Sequence, residues 1–187
     1  VNPWNKLPSY LTLDLVDIGN WQSVDRSCLD ALNQMMADCT AAGHYPYICS
    51  SYRTWEDQEY LMENKIKRLM KEEGHDRAQM AAEIAKQSVA VPGTSEHQLG
   101  LAVDIVADGY YVLDYTQAKT ATQAWLMEHC WEYGFILRYP DNTTDITGII
   151  YEPWHYRYVG KELAKELYES GLTLEEYLNN LTEENKD

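Results

Sequence analysis

At 187 residues the chain is long enough for one domain with a substantial core. Its formal net charge of −15 leaves no basic stripe to neutralise phosphates, which argues against a nucleic-acid partner. No stretch approaches the ~20 apolar residues of a membrane span. The chain starts abruptly at Val1 without a signal peptide, as a mature form that had lost a signal or anchor would.

Residues 1–20 read as an irregular arm with short extended pieces around Leu11–Ile18. Over 24–42 the apolar positions Cys28/Leu29, Leu32, Met35/Met36 and Cys39 repeat at a helical period, and Gly43 is a stop. Tyr47–Tyr52 reads as a strand. Thr54 with Asp57 forms a capping-box pattern that opens a helix with Leu61/Met62, Ile66 and Leu69/Met70 on one face, ending near Gly74. Asp76 is placed to cap a second helix through Val89, which Pro92-Gly93 breaks. The apolar, β-branched run Leu101–Val106 predicts a buried strand, and Asp108-Gly109 a turn into a short returning strand, Tyr110–Leu113. A helix follows over 117–133, with Gly134 as its stop, then a strand over Phe135–Tyr139. Residues 140–148 read as a loop and Ile149–Val159 as one long strand. Helices over 160–170 and 173–182 close the chain, with 183–187 as a frayed tail.

Helices and strands mix without regular βαβ alternation. The expected class is therefore α+β, a central antiparallel sheet with flanking helices, in a single domain over 1–187. No repeat and no linker divides it. The helical stretch 55–90 is the largest excursion between strands and is expected to form a wall of a cleft. Fifteen Tyr and six Trp against one Phe give side chains that line a wet cleft as readily as a core. The four cysteines show no CxxC spacing, so a cysteine zinc site is not expected. Cys28 and Cys39 on one helix lie about 16 Å apart at ~1.5 Å per residue, too far for a disulfide. Buried free thiols are the default reading, with pairings to Cys49 or Cys130 left open.

Two segments carry the chemistry. Ser95-Glu96-His97-Gln98-Leu99-Gly100-Leu101-Ala102-Val103-Asp104 supplies a His and an Asp, and Glu152-Pro153-Trp154-His155 supplies a Glu and a His. Two neutral imidazoles and one carboxylate suit Zn²⁺ with a fourth position open, and a second carboxylate beside them is a natural general base. Pro153 rules out a regular central ladder at that point. On a strand, Glu152 and His155 would face opposite sides, so a bulge or twist is expected where both reach one metal. Glu96 beside His97 is expected to face solvent. His44, His75 and His129 lack such a context and read as surface or satisfied residues.

The SxHxxGxAxD and ExWH patterns resemble the signature of the D-alanyl-D-alanine metallopeptidases, a zinc superfamily that includes lysostaphin-type endopeptidases and the hedgehog domain. The resemblance is closest to VanY-type carboxypeptidases. It extends to Ser51-Tyr52-Arg53 with Gln58, to Pro92-Gly93-Thr94-Ser95 and to Tyr133-Gly134-Phe135-Ile136-Leu137-Arg138-Tyr139. It implies a hedgehog/D-Ala-D-Ala-peptidase-like zinc fold. It implies His97, Asp104 and His155 as ligands of Zn²⁺, Glu152 as catalytic base and Arg53 as the partner of the scissile carbonyl and its oxyanion. Ser95 and Gln58 match substrate-binding positions. Arg138 and Tyr139 join Ser95 as candidates for the terminal carboxylate, and Trp154 as a residue that shields the site.

The activity so implied is a zinc D,D-carboxypeptidase removing terminal D-Ala from peptidoglycan stem peptides. An L,D-carboxypeptidase or a D,D-dipeptidase shares the chemistry. A catalytically silent zinc module that docks wall peptide or a protein is the reading from another class, and retention of both Glu152 and Arg53 speaks against it. The implied partner is the stem peptide, with no obligate protein partner, and the implied location is extracytoplasmic, at the cell wall or a membrane-anchored exterior.

Overall fold

The computed structural model describes residues 1–8, 10–72 and 78–184. The expected helix end at Gly74, the cap at Asp76, His75 and the last three residues of the tail lie outside them.

Strands β1 (Leu15–Gly19) and β2 (Gln22–Asp25) form an antiparallel hairpin within and just after the segment expected to be an irregular arm. Asp25 then caps α1 (Arg26–Ala41), its carboxylate accepting from the Ser27 amide at 3.0 Å. Helix α1 buries Cys28, Leu32, Met35 and Cys39, the stripe the periodicity predicts. Strand β3 (Pro46–Ser50) leads to α2 (Trp55–Glu72). Thr54 and Asp57 form the expected capping box: each side chain accepts from the other's backbone amide, at 3.1 and 3.0 Å. Helix α3 (Ala78–Ala85) packs on α2 through Leu69, Ala81 and Ala85, with Met62, Ile66 and Ile84 around them. This satellite core is separate from the main one.

A 3₁₀ turn, Glu96–Leu99, precedes β4 (Ala102–Ala107), every residue of which is buried. The expected strand at Tyr110–Leu113 is absent. The side-chain amide of Gln117 donates to the carbonyls of Tyr110 and Val112 at 2.7 and 2.9 Å, which occupies acceptors a ladder would have used. The single helix expected over 117–133 is divided into a 3₁₀ turn (Tyr115–Lys119), α4 (Ala121–His129) and a second 3₁₀ turn (Cys130–Tyr133). Thr120, in an extended conformation, breaks the run and caps α4 by accepting from the Gln123 amide at 3.2 Å. Strand β5 (Phe135–Leu137) follows Gly134, and a short helix, α5 (Thr144–Thr147), lies inside the expected loop.

Strand β6 is much shorter than the sequence suggests, spanning only His155–Tyr158. Pro153 has no amide to donate. The chain instead turns over Glu152–His155, the His155 amide donating to the Glu152 carbonyl at 3.1 Å. Helices α6 (Lys161–Ser170) and α7 (Leu174–Glu184) complete the described residues.

The main sheet is wholly antiparallel in the order β3-β4-β6-β5. Val24 and the buried face of α1 pack with Val103, Ile105, Leu126, Cys130, Phe135 and Tyr156 into one core. All four cysteines are free thiols, three of them buried. The mixed helical and antiparallel architecture is the one the sequence pattern predicts.

Gly100 joins the 3₁₀ turn to β4 at φ +69°, and a Cβ there would sit 2.9 Å from the Asp25 backbone nitrogen. The Asp25 amide donates to the Gly100 carbonyl at 2.8 Å, so the two backbones are locked together. Gly100→Ala is expected to lower stability by about 1–3 kcal/mol through left-handed strain and this clash. A denaturation midpoint unchanged from the parent would contradict it.

Candidate metal centre

The sheet register gathers the chemistry. On β4, Asp104 lies directly opposite His155 of β6 on one side and Ser50 of β3 on the other. A bulge at Cys49 shifts the β3 register just before Ser50. His97 arrives from the 3₁₀ turn that enters β4. Its Nε2 is 3.3 Å from Asp104 Oδ1, and His155 Nδ1 is 3.0 Å from the same oxygen. The two imidazoles meet edge to face, ring centres 4.8 Å apart. All three side chains are buried, and one potential ligand atom from each lies within 4.8 Å of the others.

The outer contacts decide which atoms face inward. The Ser51 carbonyl, which only accepts, is 2.7 Å from His97 Nδ1, so the proton sits there and the Nε2 lone pair faces Asp104. The second oxygen of Asp104 accepts from Arg53 Nη2 at 2.8 Å. Arg53 is further held by the Ser50 hydroxyl, at 3.0 and 2.9 Å from Nε and Nη2, and by Gln58 Oε1 at 3.2 Å.

Glu152 reaches the same place because of the turn at Pro153. Its amide donates to the Tyr139 carbonyl at 3.1 Å, and its Oε2 comes within 3.8 Å of His155 Nδ1. The irregularity expected at Pro153 thus takes the form of a tight turn that lets Glu152 and His155 share one site. Glu152 is 8% exposed. Burial pushes its pKa up to about 8, offset in part by His155. Burial also works against the charge of Asp104, but His97, His155 and Arg53 together hold its carboxyl well below the usual carboxylate range. Burial and Arg53 lower His97 to about 4, whereas Asp104 and Glu96 overcome burial and raise His155 to about 9.

These groups open on a cavity of about 470 Å³. Ser95, Tyr139 and Trp154 line it along with Arg53, Glu152 and the His–Asp–His trio. Its far wall is α2, through Leu61, Asn64, Lys65 and Arg68, with Ile149 and Ile150 from the segment before Glu152. The α2 residues recur at three- and four-residue spacing, a helix-face signal present in the sequence but overshadowed by the neighbouring apolar stripe.

Two candidate substrate-binding residues do not reach this cavity. Gln58 is fully buried beneath it, holding Arg53 with its carbonyl and the Ala90 carbonyl with its amide at 2.7 Å. Arg138 is 1% exposed and its guanidinium is committed to Glu96 and Glu175, so it does not present donors to the cleft. Glu96, expected in solvent, is 1% exposed instead. A 3₁₀ turn advances each side chain by about 120°, which turns Glu96 inward onto Arg138 and Arg157. Burial penalises its charge, but the two guanidinium groups hold its pKa well below the usual carboxylate range. Arg138, just after β5, and Arg157, on β6, were the available sequence signal: two cations in need of a buried anion.

The family model for VanY, D-alanyl-D-alanine carboxypeptidase, matches residues 22–161. The chain belongs to this VanY family. It is 45% identical over 179 residues to a D-alanyl-D-alanine carboxypeptidase of Enterococcus faecalis, covering 96% of this chain and 64% of that protein. The chain therefore spans less than two thirds of the length of the curated relatives it matches. A solved VanYB complex with D-alanine-D-alanine superposes with a TM-score of 0.87 at 42% identity, covering 96% of this chain and 95% of that one. A vancomycin-resistance D,D-pentapeptidase VanY variant in complex with Zn(II) gives 0.86 at 43% identity, covering 95% and 96%.

A divalent cation that binds the folded VanY-family chain alone should raise its unfolding midpoint, by about 4 kcal/mol of stability at a thousandfold excess over Kd. His97→Ala and His155→Ala should each abolish that increment in a thermal melt. A full increment in either variant would exclude that imidazole from the cation site.

Proposed function

We propose that this chain is a zinc-dependent D,D-carboxypeptidase that hydrolyses the terminal D-Ala-D-Ala bond of peptidoglycan stem peptides, acting as one peptidase domain. The observation that carries this reading is the convergence of His97, Asp104 and His155 with Glu152 and Arg53 on one cavity. The donor set fits zinc: two imidazole nitrogens and one carboxylate oxygen, with the Ser51 carbonyl fixing the His97 tautomer. Zinc held by this trio supplies Lewis acidity, which activates water near neutral pH and polarises the scissile carbonyl.

The chain's own residues supply the rest. Glu152, ionised, takes the proton from the attacking water and returns it to the departing D-Ala amine. Its buried setting makes it a stronger base than a solvated carboxylate, and a divalent cation held by the trio would lower its pKa towards the working range. Arg53 stands beside Asp104 with its orientation set by Ser50, Gln58 and Asp104, and its charge stabilises the oxyanion of the reacting carbonyl. Ser95 and Tyr139 are the substrate-binding residues on the cavity wall, and Trp154 shields the reacting bond from solvent. Lys65 and Arg68 give the α2 wall a positive character suited to a terminal carboxylate. A wall substrate entails action outside the cytoplasmic membrane. No helix among the described residues is long and apolar enough to cross one.

Incubation with pentapeptide and tetrapeptide stems, followed by mass spectrometry, tests the reading. Loss of one Ala from the pentapeptide is expected. Cleavage confined to the tetrapeptide would replace the reading with L,D specificity, release of an Ala-Ala unit with a dipeptidase, and absence of product would overturn it. Glu152→Gln should retain zinc yet lose hydrolysis by at least ~10²-fold, and near-normal turnover would end the base assignment. Arg53→Ala should lower kcat by about 10²–10³-fold at unchanged zinc content. An unaltered rate would remove Arg53 from the chemistry.

A further inference from the structure

Beside His155 the fold clusters four charges, three of them buried: Glu96, Arg138 and Glu175, with Arg157 partly exposed. Glu96 Oε1 accepts from Arg138 Nε at 2.8 Å and lies 3.0 Å from Arg157 Nη1. Arg138 then forks onto Glu175, Nη1 donating to Oε2 at 2.9 Å and Nη2 to Oε1. Glu175 sits in the first turn of α7 and also accepts from the Asn2 side-chain amide at 3.1 Å. With Oε1 so engaged, Glu96 turns its other oxygen to His155. Glu96 Oε2 and His155 Nε2 are 3.5 Å apart, both fully buried, and each lacks a hydrogen-bond partner at ordinary geometry.

Resting on the zinc reading above, we infer that Glu96 is a positioning residue that fixes the tautomer of His155, with Arg138 and Glu175 as its brace. A neutral imidazole carries one N–H. Placed on Nδ1, that proton would sit between His155 and the Asp104 oxygen 3.0 Å away, where a cation must enter. The Nε2 lone pair would then face a carboxylate oxygen across 3.5 Å, a repulsive pairing of two acceptors. Placed on Nε2, the proton satisfies Glu96 and leaves the Nδ1 lone pair directed at the cation site. The two imidazoles therefore present opposite nitrogens. His97 offers Nε2 because a backbone carbonyl takes its Nδ1 proton, and His155 offers Nδ1 because Glu96 takes its Nε2 proton.

Two further contacts fit this role. Tyr139 packs its ring 4.9 Å from the His155 ring and carries the Arg138 guanidinium 4.9 Å from its own centre, so the brace also meets the imidazole face. A buried ionic cluster is seldom worth its desolvation as stability alone. Orientation of a ligand by a carboxylate in its outer contacts is a recurrent use of such an anion.

The test uses the zinc-loaded full chain. Nitrogen-15 NMR of wild-type His155 should show the proton on Nε2 and the metal on Nδ1. A proton on Nδ1 overturns the inference without any variant. Glu96→Gln should weaken zinc affinity by about 10–100-fold in competition with a chromogenic chelator while the metal-free chain still unfolds cooperatively. Unchanged affinity in that folded variant also overturns it. Where Glu96→Gln does not fold, Glu175→Gln reads the same brace from α7: a several-fold loss of affinity is expected, and none refutes the brace. Zinc bound with the expected tautomer but no stem-peptide cleavage would leave this inference standing and remove the proposed activity, so the two fail separately.

Discussion

The site depends on one carboxylate, that of Asp104, buried in the middle of an antiparallel sheet. Its two oxygens have different duties. Oδ1 faces the two imidazoles, and Oδ2 is neutralised by Arg53. A buried anion of this kind is tolerable only where partners surround it, and the register of β3, β4 and β6 supplies them. Ser50 opposite Asp104 orients Arg53 through its hydroxyl, and His155 opposite Asp104 brings the second imidazole. A one-residue slip of β6 would turn His155 to the other face and dissolve the arrangement.

From that centre, two carboxylates acquire opposite properties from their surroundings. Glu96 and Glu152 are both buried and both lie within 4 Å of His155. Arg138 and Arg157 hold the Glu96 carboxyl well below the usual carboxylate range, which suits a fixed acceptor. Glu152 is pushed upward by burial, which His155 and Arg53 offset only in part, and this suits a group that exchanges a proton. Two side chains of one chemical type are thus divided by neighbouring guanidinium groups into one that holds geometry and one equipped to move a proton.

Much of this was readable in the sequence, for identifiable reasons. The α1 stripe, the Thr54/Asp57 cap, the buried strand around Asp104 and the irregularity at Pro153 are local. Spacing, capping chemistry and the missing proline amide report them directly. The shortened β6, the missing strand at Tyr110–Leu113 and the broken helix at Thr120 follow from competition among hydrogen bonds, which only the folded arrangement resolves. The inward turn of Glu96 and the withdrawal of Arg138 from the cleft share one non-local cause. Each satisfies the other, and Glu175, which completes the network, comes from the far end of the chain. A lone arginine beside a site motif reads as a substrate contact until its buried anion is known.

The division between centre and walls bears on how specificity is built. His97, Asp104 and His155 stand on or beside the central sheet, where strand register restricts their movement. The cavity's far wall belongs to α2, whose apolar face rests on its own small core with α3 rather than on the main one. Elements with separate cores shift more independently than strands of one sheet. The overall charge of −15 repels anions at long range, but screening beyond about 8–10 Å confines that effect. Inside the cleft, Arg53, Lys65 and Arg68 line the same cavity as Glu96, Asp104 and Glu152, so charges of both signs meet there. Two of these cations stand on α2, so under the proposed function that wall is the one that meets an anionic peptide end.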